Sequence, residues 1–205
     1  MDGVSLQQRD IDRPSVWVAA AVQSVGFVAL LWVLEIVDVA SGNSLDELGI
    51  RPRSDEGLVG VLLAPVLHYG WGHLISNSVP ALILLFLVLV SGIGRGLAAT
   101  AIIWLVGGLG VWLTAPANSV TIGTSILIFG WLVYLMIRGI WSRSAGEIIL
   151  GMVLFFLYGG LLLGVLPGQP GISWQGHLFG AIGGGLAAAL LSDPRRARSR
   201  DRYVV

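Results

Sequence analysis

The sequence predicts an all-α polytopic membrane protein, a six-transmembrane-helix bundle. Of its 205 residues, 55% are hydrophobic and only 12% are charged, and the mean hydropathy is +0.84. Apolar runs of about 20 residues are long enough to cross a bilayer as helices. Six runs approach this length, at about 16–37, 73–91, 97–114, 124–140, 147–166 and 174–192.

The distribution of arginine predicts how these spans are oriented. All twelve basic residues are arginines, and ten of them fall near the termini or in the loops that follow even-numbered spans. Only Arg51 and Arg53 occupy the alternate loops. The positive-inside rule therefore places both termini in the cytoplasm, an N-in/C-in topology. The predicted organisation is a cytoplasmic segment 1–15, a membrane domain 16–192 with a long outer loop 38–72, and a basic cytoplasmic tail 193–205.

Composition argues against several classes of function. The formal net charge is zero, so no bulk electrostatic attraction favours a nucleic-acid partner. The absence of cysteine excludes disulfides, thiol nucleophiles and cysteine-ligated metals. The chain has no H-E-x-x-H motif, no pair of aspartates inside the spans and no lysine for a Ser–Lys dyad. No cofactor is predicted.

Five polar residues stand at the ends of apolar runs, where polar side chains are costly and usually functional. His68, His73 and Asn77 lie in H-Y-G-W-G-H-L-I-S-N, Ser125 lies in I-G-T-S-I-L-I-F-G-W, and His177 lies in W-Q-G-H-L-F-G-A-I-G-G. In the predicted topology, all of them fall at the outer ends of spans 2, 4 and 6. Their shared side and depth predict one active site.

Ser125 and His177 are the predicted nucleophile and general base. Gly180 and Gly184 follow the histidine at helical spacing, and small residues on one stripe let two membrane helices approach closely. Such packing would bring span 6 against span 4. The alternatives are a serine hydroxyl bonded to its own helix and glycines that serve helix packing alone.

Two further residues accompany the serine. Gly123 permits a sharp entry into span 4 and a close backbone approach. Phe129 lies four residues after Ser125 on the same helical face, where it can stack on an imidazole or simply pack in the core.

His73 and Asn77 are four residues apart, so both project from one face of span 2. Together with the Ser125 backbone N–H, they are predicted to stabilise an oxyanion. His68 lies about 140° away from His73 on an ideal helix. With no carboxylate expected nearby, a metal site is not predicted, and His68 is expected to brace the loop or a water molecule.

In combination, these motifs resemble the rhomboid family of intramembrane serine proteases, over about residues 60–190. The matching motifs are H-x-x-x-x-H-x-x-x-N ending at Asn77, G-x-S ending at Ser125, and H-x-x-G-x-x-x-G beginning at His177. The resemblance implies a Ser125–His177 dyad with His73 and Asn77 as the oxyanion hole. One departure is Ile126, because the family usually has glycine after the serine; a branched side chain there could crowd the nucleophile.

The resemblance also implies the partners and the location. Substrates would be single-pass membrane proteins, which enter laterally from the lipid bilayer and are cut near the outer face without metal or cofactor. The expected location is a bacterial plasma membrane, and no oligomeric state is predicted. A catalytically inactive rhomboid-like protein that binds membrane helices is the alternative. A solute transporter is disfavoured because no internal repeat is visible.

Overall fold

The computed structural model describes residues 15–169 and 171–192. The predicted cytoplasmic ends, residues 1–14 and 193–205, lie outside the described residues. Within the described residues, the chain forms seven α-helices, three short 3₁₀ helices and no β-strand. The α-helices are α1 (Val16–Ala40), α2 (Asp55–Leu63), α3 (Gly70–Val90), α4 (Ile93–Thr114), α5 (Ser125–Ser142), α6 (Ala145–Tyr158) and α7 (Trp174–Leu191).

Five helical segments are long and apolar enough to cross a membrane: α1, α3, α4, α5, and α6 with its 3₁₀ continuation to Val165. They coincide with the first five predicted spans. The sixth predicted span, 174–192, also forms a helix, α7. It is not among these five, and its polar first turn and its glycines lower its hydropathy.

Helix α5 lies at the centre of the bundle. It is 67% buried, whereas no other membrane-length segment exceeds 39%. Helices α3, α4, α6 and α7 pack around it, and α1 lies outside them against α3. In its first turn, the three residues that follow Ser125 are all buried.

Two boundaries differ from those predicted. The fifth predicted span, 147–166, is an α-helix only to Tyr158 and continues as a 3₁₀ helix over Gly159–Val165. Glycine has a low helix propensity, and three of these seven residues are glycines. The predicted outer loop, 38–72, contains α2, because Ser54 caps that helix by accepting a hydrogen bond from Gly57 N–H.

The connection between α1 and α3 is tied to α4 by side chains. Arg53 Nη1 donates to the carbonyl oxygens of Leu113 (3.0 Å) and Ala115 (2.9 Å). Trp104 Nε1 donates to Val61 O at 2.9 Å, which fixes α2 on α4. This connection, residues 41–69, is therefore held in place beside the start of α5. It is called the cap below.

Candidate active site

The loop that enters α5 is held by the cap. Gly123 N–H donates to Ala64 O at 2.9 Å, and Thr124 Oγ1 donates to Pro65 O at 2.6 Å. Ser125 follows as the first residue of α5. The serine thus stands at a helix N-terminus, where backbone N–H groups have no partner within the helix.

Gly123 allows His73 to lie directly against this loop. Its φ is +127°, and a Cβ atom built there would lie 2.6 Å from His73 Cε1. Both the backbone conformation and the imidazole therefore require glycine at this position. The conformational role predicted for Gly123 is accordingly found in the structure.

Helix α7 approaches α5 closely through its glycines. A Cβ on Gly180 would overlap the Ile126 carbonyl oxygen, and one on Gly184 would overlap the Gly130 carbonyl oxygen. The backbones of α5 and α7 are therefore in contact, as the spacing of the two glycines predicts. This contact brings His177 beside the first turns of α5.

The His177 ring is fixed by two contacts. It stacks on Phe129 with the ring centroids 3.9 Å apart and an interplanar angle of 11°. Its Nδ1 lies 3.0 Å from the Gly164 carbonyl oxygen. Because a carbonyl can only accept, Nδ1 must carry the proton, and Nε2 is left as the basic nitrogen.

One cavity of about 1140 Å³ joins the predicted residues. It is lined by Ser125, His177, His73, Asn77 and Phe129, and by residues of the Gly159–Val165 segment. Among the described residues, no hydrogen bond joins the Ser125 hydroxyl directly to His177. The structure thus brings the predicted serine, its base and the α3 donors to one cavity.

The two α3 residues both offer donors. Tyr69 N–H donates to His73 Nδ1 at 3.4 Å, so the ring proton of neutral His73 resides on Nε2. Asn77 is buried, and its Nδ2 has no hydrogen-bond partner among the described residues. Because Asn77 also lines the cavity, this donor is free to bind a group that enters it.

His68 lies behind this cavity and does not line it. Its ring meets the His73 ring edge-on with the centroids 5.2 Å apart, and only 2% of the residue is exposed. Burial, with a smaller contribution from the neighbouring His73, lowers the pKa of His68 to about 3. The ring therefore stays neutral at physiological pH.

The expectation that no carboxylate lies near His68 is wrong. Glu35, Asp38 and Asp46 line a small cleft together with His68. The sequence signal was Glu35, an ionisable residue inside the first apolar run. Burial, and then the charge of Asp38, raise the pKa of Asp46. Within the described ranges, no three such side chains adopt an arrangement that could hold a metal ion.

Ile126, the residue after Ser125, packs between neighbouring helices. The residue is 1% exposed, and its side chain lies against Gly107 of α4 and Gly176 of α7. These glycines leave room for a branched side chain at this position. Gly164, whose carbonyl contacts His177, was not predicted; its only signal in the sequence was the glycine-rich end of span 5.

Comparison with known proteins identifies a family and several relatives. The family model described as Rhomboid domain matches residues 55–194. An uncharacterized protein of Mycobacterium tuberculosis is 48% identical over 91% of this chain and 81% of its own length. An uncharacterized protein of Mycobacterium leprae is 43% identical over 92% and 78%. A Bacillus subtilis protein named "Putative rhomboid protease YdcA" is 31% identical over 67% of this chain and 69% of its own length. No solved structure matches the chain.

Proposed function

This chain belongs to the rhomboid family, and we propose that it is an intramembrane serine endopeptidase with a Ser125–His177 dyad. The observation that carries the proposal is the shared cavity, into which α5, α7 and α3 each contribute a group of the required chemistry. A serine nucleophile, an oriented base and two uncommitted donors are the parts that acyl transfer needs.

In the proposed reaction, Ser125 Oγ attacks the scissile carbonyl carbon while His177 Nε2 takes the hydroxyl proton. The resulting oxyanion accepts hydrogen bonds from His73 Nε2–H, Asn77 Nδ2–H and the Ser125 backbone N–H. Collapse of the tetrahedral intermediate breaks the C–N bond, and His177 returns the proton to the leaving amine. A water molecule then hydrolyses the acyl-enzyme ester by the same route, which regenerates Ser125.

The substrates we propose are single-pass membrane proteins. A cavity of about 1140 Å³ exceeds the size of most small-molecule pockets, about 300–1,000 Å³, and suits an extended stretch of polypeptide. A helix has to unwind before its peptide bonds can reach such a site, because its carbonyl groups are otherwise bonded within the helix.

We further propose six membrane crossings with both termini in the cytoplasm of a bacterial cell. In this arrangement, 16–192 is the membrane domain and 1–15 and 193–205 are cytoplasmic. The α5–α6 turn, with Arg143, faces the cytoplasm, as the positive-inside rule requires. The cavity then opens near the outer face of the plasma membrane.

A cleavage assay tests the activity. The purified protein, in detergent or in liposomes, is incubated with a single-pass model substrate, and the products are separated on a gel. Ser125→Ala and His177→Ala are each expected to lower the cleavage rate by about 10⁴-fold or more, because loss of either dyad member removes the nucleophile's activation.

The matched control is Ser91→Ala, a buried serine at the opposite end of α3. It should cleave at the wild-type rate, and thermal unfolding should show that all three variants are folded. Cleavage by a folded Ser125→Ala variant at the wild-type rate would refute the proposal.

A second candidate function is the non-catalytic binding of membrane helices. It is favoured by one observation, the absence of a direct hydrogen bond between the Ser125 hydroxyl and His177 in the described structure. Apo enzymes often show such loosened catalytic hydrogen bonds, so we prefer the protease. A fluorophosphonate probe separates the two, because it labels Ser125 only if the serine is activated.

A further inference from the structure

The Gly164 carbonyl oxygen occupies the position that a carboxylate holds in a serine-protease triad. It lies 3.0 Å from His177 Nδ1, on the side of the ring opposite to the nitrogen that serves as base. In a triad, the third group selects the tautomer in which the other nitrogen is basic, and it orients the ring. A neutral carbonyl can do both, because it accepts from Nδ1–H and cannot donate to it.

The segment that bears Gly164 is conformationally unusual. Gly159–Val165 forms seven residues of 3₁₀ helix, whereas 3₁₀ runs beyond three or four residues are uncommon and often mark functional positions. In a regular α-helix the Gly164 carbonyl would accept from an N–H four residues later. Here the chain leaves the helix after Val165, and the carbonyl is available to His177.

Packing fixes where this carbonyl points. Leu162 and Val165 pack against the buried cluster around α5, on either side of Gly164. A Cβ at Gly164 would lie 2.9 Å from His177 Nδ1 and 3.0 Å from Phe129 Cζ. The segment, the imidazole and the phenyl ring are therefore in direct contact, with no space for a side chain between them.

We infer that Gly164 is a positioning residue, whose backbone carbonyl fixes the Nδ1–H tautomer and the ring orientation of His177. The inference rests on the proposed function, since the tautomer matters only if His177 is the base. It assigns two tasks to this part of the chain: Gly160, Leu161, Leu163 and Gly164 line the cavity, and the Gly164 carbonyl completes the dyad.

Kinetics provide the first test. Gly164→Ala places a methyl group against the ring, and a displacement of about 1 Å costs roughly 10²-fold in rate. We expect kcat to fall by about this factor while KM changes less than threefold, because Ser125 and the cavity remain. Gly159→Ala is the control. Gly159 lies in the same segment but does not line the cavity, and the three atoms nearest to its added Cβ would belong to the ring of Phe155 in α6, an exposed residue.

Nuclear magnetic resonance on protein labelled with ¹⁵N-histidine provides the second test. The chain has three histidines, and the His177 signals are assigned by their absence in His177→Ala. The wild type and Gly159→Ala should show the Nδ1–H tautomer of His177, and Gly164→Ala should show the Nε2–H tautomer or an exchanging mixture.

An Nε2–H tautomer in the wild type would overturn the inference, as would equal losses of kcat in the two glycine variants. The spectroscopic test does not require turnover. If the wild type fails to cleave any substrate, the proposed function fails while the tautomer still decides whether Gly164 orients His177.

Discussion

Ile126 fills the space between α5 and the two helices that flank it. Its side chain is buried among Gly107 of α4 and Gly176 of α7, and it joins the apolar cluster that includes Ile50 and Val61 of the cap. The residue beside the nucleophile therefore links the start of α5 to α4, α7 and the cap. Its bulk is accommodated by glycines on the neighbouring helices.

Replacing Ile126 with alanine should affect stability more than chemistry. Deleting a buried isoleucine side chain costs about 2–5 kcal/mol in the free energy of unfolding, and thermal unfolding in detergent measures this loss. Ile140→Ala is the matched control, since Ile140 is an exposed residue of the same helix. Well below the unfolding temperature, the rate at which a fluorophosphonate labels Ser125 should not rise; faster labelling would mean that Ile126 does crowd the serine.

Part of the site is predictable from the sequence because helical geometry determines it. His73 and Asn77 share a face by their spacing, and the glycines after His177 specify a close helix contact. Gly164 was not predictable in the same way, because a backbone carbonyl has no residue signature and its availability depends on where the helix ends. The proximity of Glu35 to His68 depends on how the cap folds, which the local sequence pattern does not encode.

At the scale of helices, a partly buried ion pair joins the end of α5 to the start of α6. Arg138 Nη2 lies 2.5 Å from Glu147 Oε1, and Ser142 Oγ donates to Glu147 Oε2 at 2.6 Å. Arg138 is one of the ten arginines that the positive-inside rule counts on the cytoplasmic side, but the residue is only 5% exposed. Its charge is therefore met by a partner within the protein.

Breaking this pair from one side should be strongly destabilising. Glu147→Ala leaves the Arg138 guanidinium buried without its carboxylate, and removal of one partner of a buried pair costs about 3–5 kcal/mol. The stability of the double variant Arg138→Met/Glu147→Leu should be much closer to that of the wild type, because no charge remains buried.

Glu56→Ala, at an exposed glutamate of α2, controls for loss of a carboxylate. The wild type and the three variants are compared by thermal unfolding in the same detergent. A Glu147→Ala variant as stable as the wild type would contradict the energetic importance of the pair.

The boundaries of the helices show where local sequence is sufficient. Five of the predicted apolar runs correspond to five membrane-length helical segments in the structure, because length and hydropathy alone define such spans. The early end of α6 at Tyr158 was missed, because Gly159–Val165 is as apolar as the helix before it. Hydropathy does not distinguish α-helix from 3₁₀ helix.

At the scale of the whole molecule, the two ends of α5 lie beside groups of different chemistry. One end carries Ser125, the cavity and the cap, whereas the other carries the Arg138–Glu147 pair and the α5–α6 turn. If the second end faces the cytoplasm, cleavage is confined to substrate segments near the outer face. The orientation of α5 would therefore determine which part of a membrane protein the proposed protease can cut.

Single-cysteine labelling tests this orientation and the sixth crossing together. The chain has no cysteine, so each introduced thiol is the only one in its variant. Asn118→Cys lies in the exposed loop before α5 and Ala145→Cys at the exposed start of α6, while Ser192→Cys follows α7. In intact bacterial cells, a membrane-impermeant maleimide should label only Asn118→Cys, because the arginine distribution places the other two sites inside. After permeabilisation, all three should be labelled.

Two outcomes would contradict the proposed topology. Labelling of Ala145→Cys in intact cells would mean that the orientation is the reverse of the one proposed. Labelling of Ser192→Cys but not of Ala145→Cys would mean that α7 does not cross the membrane.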